Sequence, residues 1–262
     1  MSGSPARGYR ERNSTADRAL DILTMFSVEE PVLSSVAIAE RLGVARSTAY
    51  RYLQSLVGGR FLEEAPAGGF RLGLRVLEIA RVARRGYGLS EVALPLMRAL
   101  SAQVGETVLL TRRVEELVVC VDRAEADVQP ARISYDRGST LPINAGASAL
   151  VLLAWVEVDE ARQVLQRATL RRFTDSTLTD VEALLDRLEE IRRDGYAITR
   201  AELDSDTVGI AAPIFGEGER VVAAISVAAL ASRMTTGRTL QILPLVQSVA
   251  REIGDRLGVV DG

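Results

Sequence analysis

The sequence predicts an α+β protein in two parts: a short, basic, helical part closed by a hairpin, then a longer acidic part with helices packed on an antiparallel sheet. Three observations predict it. Charge is split along the chain, with 13 arginines against 9 acids in residues 1–85, a net +4, and 19 against 26 in residues 86–262, a net −7. The first part shows three helical apolar patterns in quick succession. The second ends in strand-like runs that adjoin without an intervening helix, which favours antiparallel pairing. With 262 residues, 47% of them apolar, the chain can bury a sizeable core.

Residues 1–13 carry Arg7, Arg10 and Arg12 among Gly, Ser and Pro, with no apolar stretch behind them to act as a signal segment. A disordered start to a cytoplasmic protein is expected. Residues 15–26 then place Ala19, Ile22, Leu23 and Phe26 at helical spacing, and Pro31 ends that stretch. Ser34 and Ser35 are good N-cap residues for a second helix, which turns Val36, Ile38, Ala39 and Leu42 inward before Gly43 stops it. A third helix is expected over residues 45–57.

Counted from Ser35, the apolar Ile38, small Ala39, turn Gly43, apolar Val44 and small Ala49 fall where a helix-turn-helix needs them. Ala39 lets the second helix approach the third. On the third helix Ala49, Leu53 and Leu56 take the core, so that Arg46, Ser47, Tyr50, Arg51 and Gln54 point away together. These are donors suited to phosphates and base edges. A solvated helix face is the plain alternative. Residues 61–64 and 69–72 read as two short strands joined by Ala65-Pro66-Ala67-Gly68, a wing with Arg60 at its start and Arg71 near its base. The expected contacts with duplex DNA are Ser35, Arg46, Ser47, Thr48, Tyr50, Arg51, Gln54 and Arg71. This winged helix-turn-helix is expected over residues 14–75, followed by a linker helix and hinge over 76–90, where Gly86 and Gly88 interrupt a basic helix.

The remainder, 91–262, opens with an amphipathic helix from Leu89 that carries Leu94, Leu96, Met97 and Leu100. Residues 105–110 and 117–122 are apolar runs of strand length, and Cys120 and Trp155 are expected in the core. Helix is expected over 181–193, strands over 197–202, 207–214 and 221–228, and a long closing helix over 239–257. Alternation along the strand from Val221 sends Val221, Ala223, Ile225 and Val227 to one face and Val222, Ala224, Ser226 and Ala228 to the other. The second face is mostly small, which suits either a close-packed helix or a ligand bonded by Ser226. Asn144 is an expected N-cap for the helix that follows it. Free N–H groups at Gly146, Ala147 and Ser148 would favour a carboxylate, unless this is an ordinary capped helix.

Composition removes most catalytic chemistry. All 32 basic residues are arginine, histidine and lysine are absent, and there is one cysteine. No Ser-His-Asp or Cys-His relay, Schiff base, Walker-type phosphate loop or zinc knuckle can be assembled. No catalytic residue, cofactor or metal is expected. The longest apolar run, residues 149–156, is too short to cross a bilayer. An enzyme acting on a small carbonyl or acid compound stays open as the alternative, with Glu106, Asp122 and Glu202 as acid–base groups.

The chain resembles the IclR-type bacterial transcriptional regulators over nearly its whole length. The likeness lies in Arg18-Ala19-Leu20-Asp21-Ile22-Leu23, Ala39-Glu40-Arg41-Leu42-Gly43-Val44, Ser47-Thr48-Ala49-Tyr50-Arg51-Tyr52-Leu53 and Phe70-Arg71-Leu72-Gly73. In the second part it lies in Gly105-Glu106-Thr107, Val121-Asp122-Arg123, Leu141-Pro142, Ile191-Arg192-Arg193-Asp194-Gly195-Tyr196, Gly209-Ile210-Ala211-Ala212-Pro213-Ile214 and Ala223-Ala224-Ile225-Ser226-Val227. The resemblance implies a GAF-like or profilin-like effector domain and a homodimer or tetramer. It also implies a small-molecule site in the two elements above, with Thr199, Glu202 and Gly209 as further positions. The chain departs from the family's usual Ser-Gly-Lys-Ala at Ser148-Ala149-Leu150-Val151, and from its common acidic residue at Thr199. The function expected is a ligand-responsive regulator that binds a DNA operator and a small organic acid.

Overall fold

The computed structural model describes residues 14–86, 88–126 and 135–260. The expectation of disorder over 1–13 lies outside these residues, as does Tyr87 of the expected hinge. The chain forms two compact units, Met1–Ala83 and Arg84–Gly262.

In the first unit, α1 (Ser14–Thr24), α2 (Ser35–Leu42) and α3 (Arg46–Gly58) precede a hairpin of β1 (Leu62–Glu64) and β2 (Phe70–Leu72) and then α4 (Leu74–Gly86). Helix α1 ends at Thr24 rather than near Phe26: Met25 N–H turns back to the Ile22 carbonyl at 3.2 Å, and Thr24 Oγ1 donates to the Asp21 carbonyl. Helix α2 is closed at both ends by its own sequence. The Ser34 side chain accepts from Ala37 N–H, and Gly43 adopts the left-handed conformation (φ 64°) that ends helices. Ala39 and Ala49 are buried on the facing sides of α2 and α3. Ile22, Leu33, Ile38, Leu53, Leu56, Leu62 and Phe70 form one core, and Leu33 exchanges two backbone hydrogen bonds with Phe70, which ties the hairpin to the helices.

The second unit is a six-stranded antiparallel sheet of β3 (Thr107–Val114), β4 (Leu117–Ala124), β5 (Thr140–Leu141), β6 (Ala197–Arg200), β7 (Thr207–Phe215) and β8 (Val221–Leu230). Its order is β5-β4-β3-β8-β7-β6. One face packs on α5 (Leu89–Val104) and α9 (Thr236–Val260), through Val108, Leu110, Ala223, Ile225 and Val227. The other packs on α6 (Ala147–Ala154), α7 (Val158–Arg167) and α8 (Val181–Asp194), through Leu109, Ala211 and Ala224.

The alternation expected along β8 holds from Ala223 onward and breaks before it. Val221 packs on the α6 side and Val222 on the α5–α9 side. The β7–β8 register explains this: Ile214 pairs with Ala223 and Phe215 with Val221, so Val222 is skipped by a bulge and the pleat reverses there. Cys120 is fully buried as expected, whereas Trp155 is only half-buried and meets Phe215 edge-on, with ring centroids 5.8 Å apart. Among the described residues, no helix is long and apolar enough to cross a membrane.

Candidate nucleic-acid interface and ligand cleft

Helix α3 exposes Arg46, Ser47, Tyr50, Arg51 and Gln54 along one side, while Ala49, Leu53 and Leu56 are buried on the other. Ser35, the first residue of α2, and Thr48 are half-buried at the edge of this face. Helix α3 starts on Ala45, without a side-chain cap. Thr48 N–H returns to the Ala45 carbonyl, while the N–H groups of Arg46 and Ser47 have no acceptor among the described residues, an arrangement that suits a phosphate. Arg46 and Arg51 form no ion pair among the described residues. Arg71 differs: it sits opposite Glu63 in the hairpin, and its Nε donates to Glu63 Oε1 at 2.6 Å.

In the second unit, Gly146, Ala147, Ser148, Thr199, Glu202, Gly209 and Ser226 all line one open cleft, whose empty space out to its mouth is about 730 Å³. Sequence reasoning missed Tyr135, Leu203, Asp204 and Thr207, which also line it. Tyr135, Leu203 and Asp204 lie in loops, which come to a site by tertiary folding rather than by pattern, and Thr207 begins β7 at its edge of the cleft.

The cleft exists because two backbones approach closely. A Cβ on Gly209 would lie 2.9 Å from Thr199 Oγ1 and 3.1 Å from the Ala147 Cβ, so glycine leaves space between β7 and the start of α6. Ser148, Thr199 and Ser226 are each at least 95% buried, and their hydroxyls have no hydrogen-bond partner among the described residues. These hydroxyls open onto the cleft, where a ligand or water can bond them.

Asn144 is not the N-cap of α6. Gly146 takes that place with φ 87°, and the buried Asn144 amide instead donates to the carbonyls of Arg171 and Leu178. The segment those carbonyls belong to also holds the far wall of the cleft. Thr174 Oγ1 donates to the Ala201 carbonyl and Thr177 Oγ1 to the Glu202 carbonyl, the second at 2.6 Å. The Glu202 side chain is thereby set so that its Oε2 accepts from Gly146 N–H at 2.9 Å.

Burial pushes the Glu202 carboxyl above the usual carboxylate range, against the smaller opposing pull of the Gly146 N–H and of Arg187. The Tyr135 phenol is raised by burial and then by Asp204, so it remains neutral. Of the three acids considered as acid–base groups, Glu202 alone lines the cleft. Glu106 is fully buried between Arg233 and Arg238, and Asp122 is held by Arg137 and by the N–H of Arg123. Among the described residues no His, Cys, Asp and Glu cluster has the arrangement of a metal site.

A winged helix-turn-helix joined to a sheet domain that carries an open cleft lined by hydroxyls and one carboxylate has the layout of a ligand-responsive regulator of transcription. The family model for the IclR helix-turn-helix domain matches residues 15–66, and that for the bacterial transcriptional regulator IclR C-terminal domain matches residues 83–255. The chain belongs to the IclR family. The HTH-type transcriptional regulator BhcR of Paracoccus denitrificans is 33% identical over 238 residues, covering 90% of this chain and 85% of BhcR. A crystal structure of an IclR regulator from a Silicibacter species superposes with a TM-score of 0.83 at 27% identity, over 93% of this chain and 96% of that one. An IclR homolog from Microbacterium hydrocarbonoxydans, crystallised with 4-hydroxybenzoate, does so with a TM-score of 0.81 at 27% identity, over 94% and 99%.

Proposed function

We propose that this HTH-type regulator binds a duplex operator through residues 14–75 and is switched, without turnover, by a small organic acid held in residues 91–262, with 76–90 as linker helix and hinge. Its DNA contacts are Arg46, Ser47, Thr48, Tyr50, Arg51 and Gln54 on α3, with Ser35 and Arg71 beside them. The effector contacts are Gly146, Ala147, Ser148, Thr199, Glu202, Gly209 and Ser226. One observation carries the effector reading: the hydroxyls of Ser148, Thr199 and Ser226, with no partner among the described residues, open onto a cleft shared with a helix start that has no side-chain cap. The 4-hydroxybenzoate bound by the Microbacterium homolog is an acid of the chemistry such a cleft favours.

Assembly as a homodimer or tetramer in the cytoplasm completes the reading. Leu74, Leu77 and Val82 on α4 are each more than 60% exposed, an apolar stripe that a second copy would cover. A two-fold dimer reads an inverted repeat whose half-sites are separated by whole helical turns.

The test is binding to duplex fragments from upstream of the protein's own and neighbouring genes, in excess unrelated DNA and across a salt series, then repeated with organic acids. Sequence-selective binding that an acid shifts supports the reading. Selective binding that no acid alters removes the effector half of it, and binding without selectivity removes the operator half.

A further inference from the structure

Glu202 and the first turn of α6 meet at one wall of the cleft. The Gly146 N–H is already taken by Glu202 Oε2, while the N–H groups of Ala147, Ser148 and Ala149 find no acceptor among the described residues. A ligand carboxylate seated on those N–H groups lies beside the Glu202 oxygen, because successive residues are only about 3.8 Å apart. Two carboxylates that close do not both stay ionised.

The charges around Glu202 do not relieve this. The cleft-lining residues of β6, β7, β8 and α6 are apolar or hydroxyl-bearing, and among the described residues no arginine lines the cleft. Asp204, at the exposed mouth, adds a second negative group, and Tyr135 is a neutral phenol. Arg187 of α8 is the cation that bears on Glu202, but its guanidinium is spent on the Ile198 carbonyl and on Glu190.

Resting on the reading of the cleft as an organic-acid site, we propose that Glu202 makes binding proton-linked and that the lack of a cation among the described cleft residues selects for monocarboxylates. The ligand carboxylate and the Glu202 carboxylate take up one proton from solvent and share it as an O–H···O pair; no other bond forms or breaks. A second carboxylate on the ligand meets no cation among the described residues and is refused. Burial already holds the Glu202 carboxyl above its usual range, which readies it for that proton.

The test is calorimetric titration of the full chain with benzoate, 4-hydroxybenzoate, pyruvate and lactate, and with the dicarboxylates terephthalate and malonate. It is run between about pH 6 and about pH 8, in two buffers of different ionisation heat. Monocarboxylates are expected to bind with uptake of about one proton, and about tenfold more weakly for each unit rise in pH. Dicarboxylates are expected to bind far more weakly than their monocarboxylate counterparts. Glu202→Gln keeps an acceptor for the Gly146 N–H, so it should abolish the proton uptake and flatten the pH slope, while the dicarboxylates, still without a cation, stay weak. Monocarboxylate binding without proton uptake, or a slope unchanged in Glu202→Gln, overturns this inference and leaves the organic-acid reading intact. No binding of any acid by a folded, DNA-binding protein overturns both.

Discussion

Across the wing hairpin, Arg71 Nε donates to Glu63 Oε1 at 2.6 Å, whereas Arg46 and Arg51 on α3 have no acidic partner among the described residues. A phosphate contact by Arg71 must therefore exchange one anion for another. Both side chains of the pair are more than two-fifths exposed, and such surface pairs contribute only about 0.2–1 kcal/mol.

Removing the competitor should therefore help binding. Glu63→Ala is expected to tighten operator binding a few-fold, most visibly at low salt, and Arg71→Ala to weaken binding to all sequences alike. Fluorescence anisotropy over a salt series measures both. Weaker binding by Glu63→Ala would mean that Glu63 holds Arg71 in its contact geometry rather than competing for it.

Arg51 is exposed midway along α3, with Gln54 one turn further on. If Arg51 reads a base edge, Arg51→Ala costs about 1–3 kcal/mol at the operator and relaxes preference at one base position. If it holds only a phosphate, the loss is uniform across sequences and the salt slope falls by about one. Unchanged operator affinity would remove Arg51 from the interface.

The first unit was legible because its signals are local. Ser34 caps α2 three residues away, Gly43 ends it, and Ala39 and Ala49 mark the helix contact within one motif. The alternation of β8 was legible from Ala223 onward, yet the bulge that reverses Val221 and Val222 depends on the partner strand β7. Within the cleft, Ser226 and the start of α6 carry a local pattern, Thr199, Glu202 and Gly209 come only from the family resemblance, and Tyr135, Leu203, Asp204 and Thr207 carry neither. Asn144 shows the limit most clearly. Its sequence context fits an N-cap, but its amide is claimed by carbonyls 27 and 34 residues away, and nothing local announces them. Glu106 is a second case: a plausible acid–base group by sequence, it is neutralised by Arg233 and Arg238 more than 120 residues later.

Thr199 separates binding from stability. Its hydroxyl has no partner among the described residues but opens onto the cleft, so it carries no buried-polar penalty. Thr199→Val keeps the shape and deletes the hydroxyl, so it should weaken effector binding and leave the melting temperature of the free protein nearly unchanged. Thermal denaturation with and without a bound acid reads both. Lower stability without ligand would show that the hydroxyl is satisfied in solution, by ordered water.

Gly209→Ala should close the cleft from the sheet side. The added methyl meets Thr199 Oγ1 at 2.9 Å and the Ala147 Cβ at 3.1 Å, so the neighbours must give way. Overpacking of this kind costs about 1–3 kcal/mol. Loss of acid binding with operator affinity retained is the expected outcome, measured by calorimetry and anisotropy on the same preparation. Full acid affinity in Gly209→Ala would place the ligand elsewhere.

Cys120 supplies a pH-dependent probe of the second unit's core. It is fully buried on β4, and burial pushes its thiol from 9.0 to about 11, outweighing the opposing pull of Arg123. The folded protein therefore keeps a proton that the unfolded chain loses between these values. Stability must fall as pH rises through that window, by at most about 1.4 kcal/mol per pH unit from this group. Cys120→Ala leaves a small cavity, but it removes this contribution to the slope, so chemical denaturation of both proteins from about pH 8.5 to about pH 10.5 should show the difference in slope. The native thiol should also resist iodoacetamide near neutral pH and react once the sheet domain unfolds, because only the accessible thiolate is alkylated. Native-state labelling at the rate of a free thiol would show that β4 opens without global unfolding, and the shared pH slope would then have another source.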